Sequence, residues 1–127
     1  MVRNFAPGDP GRYDGGMEAD RRTRRGDTLE DALNYQLAAC VDAEGLSAMV
    51  LADADGLPLA AWGGSDTCEE AAARAPFRRD DDQARRFRFG GHDLYLCAVG
   101  GEELARRRSL ERSQNGVARI LGRWIVP

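Results

Sequence analysis

The chain has 127 residues, 43% of them hydrophobic and 31% charged, with a formal net charge of −3. That length accommodates one domain with one core and is too short for two ordinary ones. The mildly acidic balance gives no long-range attraction for nucleic acid, and no apolar run reaches the ~20 residues that span a bilayer, so neither nucleic-acid binding nor membrane insertion is expected.

All 18 basic residues are arginine, which biases ion pairs toward planar, multi-donor geometry. Cys40, Cys68 and Cys97 are odd in number and widely spaced. They fit neither a disulfide framework nor a zinc pattern and read as partly buried free thiols of a reducing cytoplasm. The N-terminal stretch has no apolar export segment, so a cytoplasmic location is the expectation.

Residues 1–27 are rich in Gly, Pro, Asp and Arg and lack sustained periodicity, the composition of a flexible tail that buries too little apolar surface to offset its ordering entropy. A single domain is expected over 28–127. Its first element is a helix over 28–42. Thr28-Leu29-Glu30-Asp31 has the form of a capping box with Asp in place of Glu, and Leu29, Leu33, Leu37, Cys40 and Val41 recur at helical spacing. Two strands follow, over 47–52 and 57–62, joined by Asp53-Ala54-Asp55-Gly56.

The stretch 65–75 reads as a short helix. Ser65 or Asp66 can cap it, alanine favours it and Pro76 limits it. With Cys68 as its bulkiest apolar residue it is weak alone and needs a surface to lie on. A charged loop, 77-FRRDDDQ-83, precedes a strand over 84–89 in which Arg85, Phe87 and Phe89 share one face and Arg86 and Arg88 the other. A turn at Gly90-Gly91-His92-Asp93 leads to a strand over 94–99, completing a hairpin. A long helix over 102–124 closes the domain, with Leu110, Val117, Ile120, Leu121 and Trp124 as its core stripe. Clustered antiparallel strands between terminal helices imply an α+β sandwich.

Candidate chemistry fails position by position. Counted from Asp53, a calcium loop would place Pro58 where glycine is needed and Gly64 where glutamate is needed; the two aspartates are better explained by an Asp-Gly turn. With no second His and no Cys close in sequence, a zinc site at His92 would need assembly from distant parts, and Cys97 sits in an apolar strand that blunts thiol reactivity. Gly100-Gly101 lacks the third glycine of a dinucleotide loop and the lysine of a P-loop, while Glu102 and Glu103 would repel an anion there. The arginine clusters lack an aromatic platform and read as solvated faces. No cofactor, metal or catalytic residue is expected.

The stretch 46-LSAMVLADADGLPLAAWGG-64, together with 94-LYLCAVGG-101 and the long helix after it, resembles the roadblock domain, the family named for roadblock-type dynein light chains. The resemblance covers about residues 28–124. It implies a roadblock-like, profilin-like sandwich: a central antiparallel sheet of about five strands, N- and C-terminal helices on one face, and a short central helix on the other. It also implies a non-catalytic protein-protein interaction module, pairing through edge strands and central helices as a homodimer or higher oligomer.

In bacteria such modules regulate or scaffold small Ras-like GTPases, including polarity and motility switches, so a second roadblock protein or a small GTPase is the implied partner. Glu69, Ala72, Ala73, Arg86 and Arg88 are the implied dimer or partner contacts. The chain departs from the family where Pro76 and 78-RRDDDQ-83 stand in place of a longer helix and strand. The alternative is a small-ligand sensor of similar build, with a pocket between sheet and helix.

Overall fold

The computed structural model describes residues 20–124, with side-chain environments from residue 29 onward. The elements run α1 (Asp20–Glu44), β1 (Ala48–Ala52), β2 (Pro58–Trp62), α2 (Ser65–Arg74), a 3-10 turn (Ala75–Phe77), β3 (Ala84–Phe89), β4 (His92–Val99) and α3 (Glu103–Trp124). The strands form one antiparallel sheet in the order β2-β1-β4-β3.

All five side chains of β1 are buried, as are Leu94 through Ala98 of β4. A strand presents alternate residues to opposite faces, so two such strands require cover on both sides. Met49, Leu51, Leu94, Leu96 and Ala98 face one way and pack under Leu33, Leu37, Cys40 and Val41 of α1 and Leu110, Val117 and Leu121 of α3. Ala48, Val50, Ala52, Tyr95 and Cys97 face the other way and meet Cys68, Ala72 and Ala75. The short helix thus finds the surface it needs. Phe87 and Phe89 pack on the α1–α3 side, as their alternation predicts.

Four expectations require correction. The sheet has four strands rather than about five: no strand forms over 78–83, where three aspartates, poor strand formers, bond nearby backbone amides or α3 instead. α1 begins at Asp20, eight residues before the predicted cap, so Thr28 lies inside the helix. The expected tail accordingly divides, with 20–27 helical and 1–19 outside the described residues. At α2 the cap is Gly64, whose carbonyl accepts the Cys68 amide at 3.0 Å, and Ser65 is already helical. Trp124 stays 41% exposed and does not join the α3 stripe.

The seam between α1 and α3 is made by small residues. Ser109, Ser113 and Gly116 are buried on α3, and a side chain at Gly116 would run into Gln36 of α1. Ser113 Oγ donates to Cys40 Sγ at 3.2 Å, which accommodates a hydroxyl in the core.

Two glycine turns differ in what they demand. Gly90 and Gly91, with φ of +60° and +84°, make the two-residue turn between β3 and β4, and Gly90 faces open space. Gly63 combines φ +126° with a Cβ position only 2.5 Å from Ala48 Cβ. Gly63→Ala is therefore expected to cost about 3 kcal/mol or more in chemical denaturation, from strain and overpacking together. Gly90→Ala should cost only about 1–2 kcal/mol. Equal losses at the two positions would contradict this account of the turns.

Candidate interaction surface

The Asp-Gly turn resolves as scaffold. Asp53 Oδ1 accepts the amides of Asp55 at 2.9 Å and Leu57 at 3.0 Å, and the Gly56 amide reaches Asp53 O at 3.0 Å. Gly56 is buried, and a Cβ there would lie 3.2 Å from the backbone of Ala72 and Ala73. The turn is tucked beneath α2, and its carboxylate is spent on its own backbone.

The other chemical candidates are dispersed. His92 is exposed at the start of β4. Cys68 on the inner face of α2 and Cys97 of β4 beneath it are both buried, and burial pushes both thiols up to about 11, far from nucleophilic thiolates. Among the described residues no group of three or more His, Cys, Asp or Glu side chains is placed to hold a metal ion, and no helix is long and apolar enough to cross a membrane.

The residues expected at a partner surface are divided between two elements that do not adjoin: α2 packs on β1, β2 and β4, with Ala73 beside Gly56 of the β1–β2 turn, and Thr67, Glu70, Ala71 and Arg74 on the flank toward β4. Glu69 and Ala73 are exposed on α2, and Arg86 and Arg88 are exposed on β3. Ala72 cannot join them: it is 0% exposed because it packs on the sheet, one residue from the outward-facing Ala73. Sequence reasoning placed Phe77 in a charged loop, yet its ring is 88% exposed in the 3-10 turn at the end of α2. An apolar ring before an arginine pair offered only a faint signal. A groove of about 210 Å³ lies between α2 and β4, with Ala71, Cys97 and Val99 in its lining and Glu70, Arg74, Arg78 and Gln83 around it.

The two edges of the sheet differ. At β2 the Ala61 amide is met by Asn34 Oδ1 of α1 at 2.9 Å, so a helix covers that edge. At β3 the loop 80–82 does the covering, and each aspartate has its own task. Asp80 Oδ1 accepts the Arg86 amide at 2.9 Å. Asp81 Oδ1 accepts the amides of Gln83 at 2.8 Å and Ala84 at 3.0 Å, its own amide bonds Ala84 O, and its carboxylate pairs with Arg78. Asp82 bonds Arg106 of α3 at 2.6 Å, and that guanidinium also reaches the carbonyls of Gly100 and Gly101.

Burial opposes ionisation of Asp81, but the Gln83 amide, the Arg78 guanidinium and the Ala84 amide outweigh it and hold the carboxyl below the ordinary range.

This four-stranded antiparallel sheet, with two long helices on one face and a short one on the other, is the roadblock-type fold. Two solved structures of roadblock-domain gliding proteins share it. Against Myxococcus xanthus MglB the TM-score is 0.55 at 8% identity, over 73% of this chain and 90% of that one. Against the gliding protein MglB from Thermus thermophilus the TM-score is 0.51 at 14% identity, over 72% of this chain and 90% of that one. No family model and no curated protein matches the chain.

The lowered pKa of Asp81 has a definite sign. A carboxyl depressed in the folded state stabilises fully above its unfolded value of about 3.9, and that contribution is lost as pH falls through the folded value. Asp81→Asn should therefore show a shallower loss of stability than the parent between about pH 5 and pH 3, read by denaturant unfolding. An unchanged slope would contradict the role given to this carboxylate.

Proposed function

We propose that the chain is a non-catalytic, dimerising adaptor or regulator in a bacterial small Ras-like GTPase system of the polarity or motility kind, working in the cytoplasm. The observation that carries this reading is the shared fold with two gliding proteins, one from Myxococcus and one from Thermus. The exposed side chains of Glu69, Ala73, Arg86 and Arg88 are open to a partner, and Phe77, a bare ring followed by Arg78 and Arg79, has the composition of an interface anchor. Ala73 suits close approach of a second helix, having almost no side chain to hold the backbones apart.

The ligand-sensor alternative has less support. A small-molecule site generally occupies about 300–1,000 Å³ with a predominantly apolar lining. The groove between α2 and β4 has about 210 Å³ and is bordered by Glu70, Arg74 and Arg78.

Light scattering should give twice the chain mass, and calorimetry should detect binding to a small Ras-like GTPase from the same genome in one of its nucleotide states. Ala73→Arg and Glu69→Arg are expected to weaken self-association by about tenfold or more, with circular dichroism unchanged because both side chains are exposed. A strict monomer that binds no such GTPase would overturn the proposal.

A further inference from the structure

We infer that the chain's own segment 13–19 returns along the β2 side of the domain and covers an apolar strip made by Tyr35, Leu57, Leu59 and Trp62. The inference goes beyond the adaptor reading and rests on no part of it, because neither α2 nor β3 takes part.

More than half of the open apolar side chains gather at this one place. Among the described residues seven large hydrophobics are exposed, and four of them lie on β2, just before it, or on the part of α1 beside it. Asn34, next to Tyr35, meets the Ala61 amide at 2.9 Å and so fixes α1 against this strand. Ala60 and Trp62 pair with Leu51 and Met49, whose side chains face α1 and α3, so Trp62 lies on the α1 side of the sheet. Leu59 has no partner in β1 and sits at the bulge between Ala60 and Pro58. An apolar strip along an edge strand is a liability in water unless something covers it.

The directions of helix and strand say what can reach the strip. β1 follows α1 through a short loop, so α1 ends beside the start of β1. That start pairs with Trp62, and the end of β1 pairs with Pro58. Followed toward its N-terminus, α1 therefore runs from the Trp62 end of β2 to the Leu57 end and beyond. From Asn34 back to Asp20 it rises about 21 Å, whereas Ala61 to Leu57 spans only about 13 Å. Asp20 thus stands roughly 8 Å past Leu57.

A chain that doubles back from Asp20 in extended form covers about 3.3 Å per residue. Met17 then falls about 10 Å back, level with Leu57 and Leu59, and Tyr13 about 23 Å back, level with Trp62. The two large apolar side chains of this stretch are therefore spaced to meet the two ends of the strip. Between them Gly15 and Gly16 let the backbone come close. Arg12 follows toward Asp42, which lies two helical turns beyond Tyr35 on the same face, is exposed and makes no ion pair among the described residues.

The contact is side-chain packing rather than an added strand. Asn34 already holds the outward Ala61 amide, and Pro58 has no amide to offer. That favours a short tethered segment over a separate strand, because the tether holds it at an effective concentration of about millimolar.

The test uses the full chain carrying Trp124→Phe, which leaves Trp62 as its one tryptophan, read by acrylamide quenching. Deleting residues 1–19 is expected to raise the quenching constant about twofold, in proportion to the ring area returned to water. Tyr13→Ala combined with Met17→Ala in the full chain should give the same rise, and Phe5→Ala should give none. Circular dichroism checks the folding of each variant.

Equal quenching of the parent and the shortened chain would overturn the inference. So would protection that survives Tyr13→Ala with Met17→Ala, or a rise with Phe5→Ala, since another part of the chain would then be the cover. Protection that grows with protein concentration would assign the strip to a second copy and would overturn it too. Trp62 quenching is read apart from chain mass and GTPase binding, so failure here leaves the adaptor reading to its own measurements.

Discussion

The two central strands bury apolar side chains at successive positions, not at alternate ones, so neither face of the sheet can meet water. Everything else in the fold is arranged around that constraint. One face takes the long helices α1 and α3, which bring Leu33, Leu37, Leu110, Val117 and Leu121. The other face takes α2, whose contribution is small: Cys68, Ala72 and, just past its end, Ala75. Small side chains on β1 and β4 (Ala48, Ala52 and Cys97) let this alanine-rich helix settle close to the sheet. The helix in turn roofs the Asp-Gly turn, so the turn, the strands and α2 are packed as a unit.

The same constraint leaves the edges to be managed separately. α1 is long enough to send Asn34 to the β2 edge, but no described helix covers the outer edge of β3. The covering falls to three aspartates between Pro76 and Ala84. Asp82 anchors the loop to α3, Asp81 winds it onto the start of β3, and Asp80 touches the strand beyond. Access to the β3 edge is therefore set by side-chain hydrogen bonds, which form and break more easily than packed apolar contacts.

Much of this was legible in the residues. The order of elements, the faces of β3 and the Asp-Gly turn at 53–56 follow from periodicity and turn chemistry. The roadblock resemblance supplied the layer arrangement, and the fold bears it out. The missing fifth strand was harder to see, because what replaces it depends on three-dimensional neighbours. Nothing local to 80-DDD-82 shows that one carboxylate meets α3 and the other two meet backbone amides. The burial of Ala72 beside an exposed Ala73 likewise needs the rotation of α2 about its axis, which a run of alanines does not encode. The polar seam of Ser109 and Ser113 was invisible for the opposite reason: hydroxyls are read as surface, yet here small size at a helix crossing decides their place.

The most direct measurement of the central claim is amide hydrogen exchange along β3. If the acidic loop closes the edge, the amides of Ala84 and Arg86 exchange slowly although they point away from the sheet, while that of Arg88 exchanges fast. Uniformly fast exchange at all three would mean that the loop does not cover the edge. Uniformly slow exchange would mean that something other than this loop does, and either pattern would contradict the account.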